Sequence, residues 1–293
     1  MSDPEKRHVP VMVEEVVNCV GSLSGVFLDC TVGEGGHTEA ILGSFERCRV
    51  VGLDVDVDAL ELAKRRLAKY GSRVILKHAS YTEAEKVLQS LAISHVDGIL
   101  LDLGVSTLQL EKSERGFAFA RNGPLDMRMN TDQDLTAFDI VNTWPESRIA
   151  RILFEYGEEK RFSKRIARVI VANRPIVSTK ELVAAISKAL PYEVKRSRRR
   201  HFATKVFQAI RIAVNDELNN VRRFLEVAPN ILAKSGRILV ISFHSLEDRI
   251  VKQAFRSCEQ LRVITRKPML PSSEEVVRNP RSRSAKLRVA ERI

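Results

Sequence analysis

Apolar and polar positions in the first hundred residues switch regularly between a strand-like and a helix-like period. Residues 26–31 (VFLDCT) are a short apolar run that reads as a buried strand, the turn Gly33-Glu34-Gly35-Gly36 follows at once, and residues 39–45 read as a helix. Residues 49–54 give a second buried strand closing on Asp54, and the charged segment 58–69 gives a helix stopped near Gly71. A third strand over 73–77, a helix over 83–91 and a fourth strand over 96–102, closing on Asp102, continue the order. This alternation predicts an α/β fold: a parallel sheet covered by helices on both faces, with ligands bound at the carboxyl ends of the strands.

The order then breaks. The next apolar strand, 237–242, stands more than a hundred residues beyond Asp102, whereas a crossover with its helix needs a few dozen. An insertion is therefore predicted: a Gly- and Met-bearing segment after Glu111, then helices over 146–156, 162–173 and 179–190, the last with capping-box spacing from Ser178 to Glu181. Apolar residues at Val206, Phe207, Ile210, Val214, Leu218, Val221 and Leu225 keep helical spacing and predict a crossover helix returning to the sheet. Short strands over 261–266 and 285–290, joined by a Pro-rich loop, predict a closing hairpin. The expected domains are a discontinuous sheet domain, residues 1–110 and 202–293, and an inserted helical domain, residues 111–201.

Composition narrows the function classes. With 44% hydrophobic and 29% charged residues the chain is globular, and it has no apolar run of membrane-spanning length and no signal-peptide core near its start, so a cytoplasmic protein is expected. Cys19, Cys30, Cys48 and Cys258 form no CxxC pair, so neither a disulfide framework nor a structural metal is expected. Lys and Arg number 48 against 37 Asp and Glu, a net charge of +11 that favours polyanionic partners, nucleic acid first. Lys195-Arg196-Ser197-Arg198-Arg199-Arg200 is the densest cationic run, with Glu193 its nearest carboxylate, and reads as a phosphate contact. Residues 276–293 repeat the bias and read as a cationic face or arm.

The turn Gly33-x-Gly35-Gly36 lets backbone N–H groups approach a ligand without a side chain in the way. A dinucleotide fingerprint wants a further glycine where Thr38 stands, so that signature is incomplete. Asp54 ends the second strand where an acid accepts hydrogen bonds from ribose hydroxyls, a feature shared by NAD and S-adenosylmethionine folds. Tyr81, just past the third strand, is a candidate to stack on an adenine. The fourth strand and closing hairpin favour a methyl donor. A sulfonium needs only an opening where the acceptor atom meets the methyl group in line, rimmed by an acceptor such as Asp102.

Eight motifs extend this reading over nearly the whole chain. They are His8-Val9-Pro10-Val11-Met12, Asp29-Cys30-Thr31-Val32-Gly33-Glu34-Gly35-Gly36-His37-Thr38, Leu101-Asp102-Leu103-Gly104-Val105-Ser106 and Glu114-Arg115-Gly116-Phe117-Ala118-Phe119. Next come Gly123-Pro124-Leu125-Asp126-Met127-Arg128-Met129 and Phe207-Gln208-Ala209-Ile210-Arg211-Ile212 with Asn215. Ser242-Phe243-His244-Ser245-Leu246-Glu247-Asp248 and Asn279-Pro280-Arg281-Ser282-Arg283-Ser284-Ala285-Lys286-Leu287-Arg288 complete them. Together they resemble the ribosomal RNA small-subunit methyltransferase H family, also called MraW.

The resemblance implies a class I Rossmann-like S-adenosylmethionine methyltransferase sheet with a helical substrate-recognition domain inserted after the fourth strand. It implies methyl transfer to N4 of a cytidine in the decoding centre of 16S rRNA in the small ribosomal subunit, releasing S-adenosylhomocysteine. Carried onto matching positions, the donor is held by Gly35, Gly36, His37, Asp54, Tyr81, Asp102 and Gln109, beside the turn residue Gly33. The N4 amine is a weak nucleophile because its lone pair is delocalised, so the chemistry needs an N–H acceptor and fixed geometry. Asp102 is the candidate catalytic acceptor and His244 a candidate proton relay. Other amino-methyltransferases follow this acid with Pro-Pro-aromatic, whereas Leu103-Gly104-Val105 stands here, which leaves the stacking aromatic open among Phe117, Phe119 and Phe243. Arg115 and Arg128, with Lys195, Arg196, Arg198, Arg199 and Arg200, are candidate RNA contacts. Two alternatives stay open: an NAD-dependent oxidoreductase and a ribosome-assembly factor with a vestigial nucleotide fold.

Overall fold

The computed structural model describes residues 9–21, 23–197 and 201–293. Its strands are β1 (Val26–Asp29), β2 (Arg49–Asp54), β3 (Val74–His78), β4 (Val96–Asp102), β5 (Leu232–Ser242), β6 (Leu261–Val263) and β7 (Lys286–Arg292). Among the described residues they form a seven-stranded sheet in the order β3-β2-β1-β4-β5-β7-β6. The first five run parallel to their neighbours, β7 is antiparallel to β5, and β6 is antiparallel to β7. Chain order reverses at β1, which pairs with β2 on one side and β4 on the other. A crevice opens at the carboxyl ends of strands where such a reversal occurs. Asp29, Asp54 and Asp102 are the last residues of β1, β2 and β4, so three carboxyl groups line that end of the sheet.

Residues 26–28 of β1 and 99–101 of β4 are apolar and buried, as strands covered on both faces should be. Gly98 in β4 makes room for a neighbouring ring, since a Cβ there would stand 2.6 Å from Cδ2 of Phe27.

The chain divides into two compact units, the described residues up to Gly104 together with Leu218–Ile293, and Val105–Glu217. The second unit is helical, with helices Thr107–Glu111, Ala137–Thr143, Glu146–Glu155, Ser163–Ala172, Thr179–Ala189, Tyr192–Ser197 and Thr204–Asn215. Its core gathers Ile140, Ile149, Leu153, Ile166, Ile170, Leu182, Ile186 and Ile210, the apolar stripes of successive amphipathic helices.

These limits differ from the expected boundaries at 110 and 202. The helical spacing through Val206 to Leu225 is interrupted at Asp216, which takes a left-handed backbone (φ 48°) between helices Thr204–Asn215 and Glu217–Ile231. The first of these helices buries Val206, Phe207 and Ile210 in the core of the helical unit, so its residues belong there rather than to the sheet. Strand β5 begins at Leu232, earlier than expected, and its pairing with β4 is irregular between Val96 and Gly98. The closing hairpin is present, but β6 ends at Val263, and its connection to β7 contains the helix Ser273–Arg278 and the turn Pro280–Ser284. Two of the C-terminal cations are held in the sheet: Arg288 is buried in β7 and donates to Asp248 at 2.6 Å, which also receives Lys286 at 3.4 Å, whereas Arg278, Arg281 and Arg283 are exposed.

Candidate functional site

In the first unit, the ten residues from Asp29 to Thr38 run from the end of β1 through the glycine turn into the helix Gly36–Ser44. Asp29 is buried at the end of β1, and its carboxylate accepts from the Thr38 hydroxyl at 2.6 Å and the Thr31 N–H at 3.2 Å. Burial raises its pKa against these two donors and the neighbouring His37. The Thr31 hydroxyl accepts from the Asp102 N–H at 2.7 Å, which ties the end of β4 to the turn after β1. Thr38, standing where a dinucleotide fingerprint has glycine, thus has its own task. Asp29, Thr31 and Thr38 were not singled out as site residues in the sequence, although the motif that contains them was.

The turn glycines differ in what they require. Gly33 and Gly35 have φ of 52° and 83°, the left-handed region that glycine enters without strain. A Cβ on Gly36 would stand 2.7 Å from Cγ of Pro10, whereas one on Gly33 would meet nothing nearer than the Thr31 carbonyl at 3.9 Å. Packing, rather than ligand approach, therefore demands Gly36, and the open space lies at Gly33.

Asp54 accepts from the Gly33 N–H at 2.7 Å on one oxygen and from the Asp56 N–H at 2.9 Å on the other. Burial pushes its pKa up to about 6 against these two bonds, helped by the negative charge of Asp56 and Asp29. Each oxygen keeps a second lone pair for a hydroxyl donor. Tyr81 follows β3 and lies edge-on to Phe224, with ring centroids 5.5 Å apart.

His37 is 6% exposed and lies with Nε2 3.5 Å from the Asp102 carboxylate. Among the described residues, neither His37 ring nitrogen has a hydrogen-bond partner, nor has Oδ1 of Asp102. Orphaned buried polar atoms are rare because each forfeits its bonds to water. Three of them, on His37 and Asp102, lie together beside the carboxyl end of β4. Phe243 belongs to the same unit: a Cβ on Gly104 would lie 3.3 Å from its ring, and Leu103 N–H donates to the Ile241 carbonyl at 3.0 Å. His244 has a structural task, since its Nδ1 accepts from the Glu247 N–H at 3.4 Å and caps the helix Ser245–Ser257. Its Nε2 stands 3.1 Å from Glu247 but without hydrogen-bond alignment.

The remaining candidates lie in the helical unit. Gln109 is buried and completes a capping box, its carbonyl oxygen accepting from the Ser106 N–H at 3.2 Å. Arg115 is only 6% exposed and donates to the Arg128 and Met129 carbonyls at 3.0 Å each, so it braces the backbone and presents no free guanidinium to a phosphate. Arg128 donates to the Asp126 carboxylate and the Thr131 and Gln133 carbonyls, and its hydrogen bonds to Asp126 raise its pKa. Phe117 is a core residue. Phe119 is half-buried and stacks on His201 at 4.4 Å between centroids. Lys195 donates to the Ser187 hydroxyl at 2.9 Å, and Arg196 is exposed. Arg198, Arg199 and Arg200, like His8, lie outside the described residues.

Asn215 fixes the Met-bearing loop: its side chain receives the Met129 N–H at 2.7 Å and donates to the Met127 and Arg211 carbonyls at 2.8 and 2.9 Å. Met127 holds a left-handed φ of 59° that these bonds offset. Asn215→Ala is expected to destabilise the protein by about 1–3 kcal/mol, read as a lower melting temperature in calorimetry of the whole chain. An unchanged melting temperature would show that the loop is held by other contacts.

Among the described residues, no cluster of His, Cys, Asp and Glu could hold a metal ion, and no helix is long and apolar enough to cross a membrane. The MraW methylase family matches residues 5–293. The protein named ribosomal RNA small subunit methyltransferase H from Pseudothermotoga lettingae is 62% identical over 287 residues, covering 97% of this chain and 98% of that protein. Proteins of the same name from Thermotoga neapolitana and Kosmotoga olearia are 55% and 52% identical, with 97% and 98% of this chain covered and 95% and 98% of theirs.

Proposed function

This chain belongs to the MraW methylase family, and from that premise we propose that it methylates N4 of a cytidine in the decoding centre of 16S rRNA, with S-adenosylmethionine as donor. The substrate is the small ribosomal subunit or its RNA, met in the cytoplasm. What supports the reading most is the group of orphaned atoms, His37 Nδ1 and Nε2 and Asp102 Oδ1, at the carboxyl ends of the strands.

The donor supplies a methyl group on a sulfonium, activated by its neutral thioether leaving group. The chain's residues supply the rest. Asp54 holds the ribose through its remaining lone pairs, and Gly33 leaves its backbone open beside it. Tyr81 offers a ring face to the adenine. Asp102, fixed by Thr31 through its own N–H, accepts a hydrogen bond from the N4 amine at Oδ1 and turns the nitrogen lone pair toward the methyl carbon. One N–C bond forms, one S–C bond breaks, and the amine proton leaves through Asp102 to solvent. Phe243, whose ring packs beside Gly104, is assigned to stack on the base.

Incubation of the protein with unmodified small subunits and labelled donor, followed by nucleoside mass spectrometry, tests the assignment. N4-methylcytidine is expected; label at C5 of a base, or none at all, would refute it. In parallel, calorimetry should show binding of S-adenosylmethionine and none of NAD, and the reverse would establish the oxidoreductase alternative.

A further inference from the structure

The helix Ser163–Ala172 buries Ser163, Ile166, Ala167 and Ile170 in the core of the helical unit. On its other face Lys164, Arg165 and Arg168 are exposed at i, i+1 and i+4 spacing, and Arg161 lies exposed in the turn just before the helix. Lys160 lies exposed at its start. From Lys160 to Lys180 the sequence has no Asp or Glu. Among the described residues, Arg168 meets Glu146 at 3.8 Å, while Arg161, Lys164 and Arg165 form no ion pair.

Two features make this stripe unfavourable for the isolated protein. Like charges at i,i+3 and i,i+4 repel, so the row destabilises the helix that carries it. The cations also crowd the amino-terminal end, where the helix dipole is already positive, and the first turn has no acidic residue to offset it. A polyanion laid along this face would relieve both terms at once.

We infer that the Arg161–Arg168 face of the helical unit is a contact surface for the phosphate backbone of the RNA substrate. The inference rests on the rRNA reading for the identity of the partner. The densest cationic run in the sequence, beginning at Lys195, does not include this stripe, whose charges are spaced along a helix and so form no local cluster.

The test compares the wild type with the triple variant Lys164→Gln, Arg165→Gln, Arg168→Gln for binding to a protein-free 16S rRNA transcript across a salt series. A second triple variant, Arg249→Gln, Lys252→Gln, Arg256→Gln on the helix Ser245–Ser257, removes the same charge elsewhere. The first variant should bind at least about tenfold more weakly at moderate salt, with a log K against log salt slope shallower by about 2 to 3. Its affinity for S-adenosylmethionine should be unchanged, which shows that it has folded. The control should keep the wild-type slope. An unaltered slope in the first variant, or an equal change in the control, would overturn the assignment. Loss of binding to whole small subunits with no change toward free RNA would overturn it in favour of an acidic protein surface. A wild type that binds the transcript through this stripe but transfers no methyl group to N4 would sink the functional reading and leave the stripe standing. A wild type that binds no RNA would remove both.

Discussion

Asp102→Ala is expected to lower the rate of methyl transfer by about 10²–10⁴-fold at saturating donor and RNA. The change removes the N–H acceptor whose Oδ1 has no partner in the ligand-free fold. It leaves the backbone N–H of residue 102 on the Thr31 hydroxyl, so the strand end should keep its place. Asp102→Asn preserves shape and removes charge, and it should fall between wild type and alanine if part of the effect is steric. Single-turnover kinetics separates these cases from loss of RNA binding. Full modification of 16S rRNA by the alanine variant would show that residue 102 is no part of the chemistry.

Asp54→Ala should weaken donor affinity by at least about a hundredfold, because two hydrogen bonds to a charged group are lost at roughly 1.5–3 kcal/mol each. The pKa of about 6 adds a pH signature. Ribose hydroxyls donate to the carboxylate and not to the acid, so affinity should be complete above pH 6 and decline about tenfold per unit below it. Binding below pH 6 should therefore release a proton. For the free protein the sign is opposite. The folded-state value lies above the roughly 3.9 of an unfolded Asp, so the folded chain binds more protons between about pH 4 and 6, and this group lowers stability as pH rises through that window. Calorimetric titrations from pH 5 to 8 in buffers of differing ionisation enthalpy read both the affinity and the proton count. A flat profile would place the ribose elsewhere.

The sheet was legible in the sequence because its evidence is local. Each parallel strand is a short apolar run, and β2 and β4 end on the acids that line the crevice. The block from Asp29 to Thr38 carried the turn, although nothing in its spacing distinguished the glycine that packs on Pro10 from the one that faces open space. The break at Asp216 was hidden for a different reason. Apolar spacing runs on from Val214 to Leu218 and Val221, while the interruption depends on Asn215 reaching Met127 and Met129 far away in the chain. Arg115 and Arg128 read as phosphate contacts or, equally, as partners of Glu114 and Asp126; Arg128 does pair with Asp126, whereas Arg115 donates to two backbone carbonyls, arranged by a loop fold that no charge pattern reveals. His244 read as a proton relay or, more simply, as a structural hydrogen-bonding group, and it caps a helix, since an imidazole nitrogen can accept the N–H that Ser or Asp more often takes.

The insertion between β4 and β5 also bears on how the chain comes off the ribosome. Synthesis is vectorial, and β4 is complete long before its neighbour β5 emerges, a delay on the order of ten seconds at typical elongation rates. Throughout that interval one edge of β4 has no strand to pair with, while the helical unit is finished and can fold first. The nascent sheet is thus left with an open flank, the situation in which unpaired strands invite intermolecular association. Translation speed through codons 105 to 231 therefore becomes a variable in the yield of soluble enzyme.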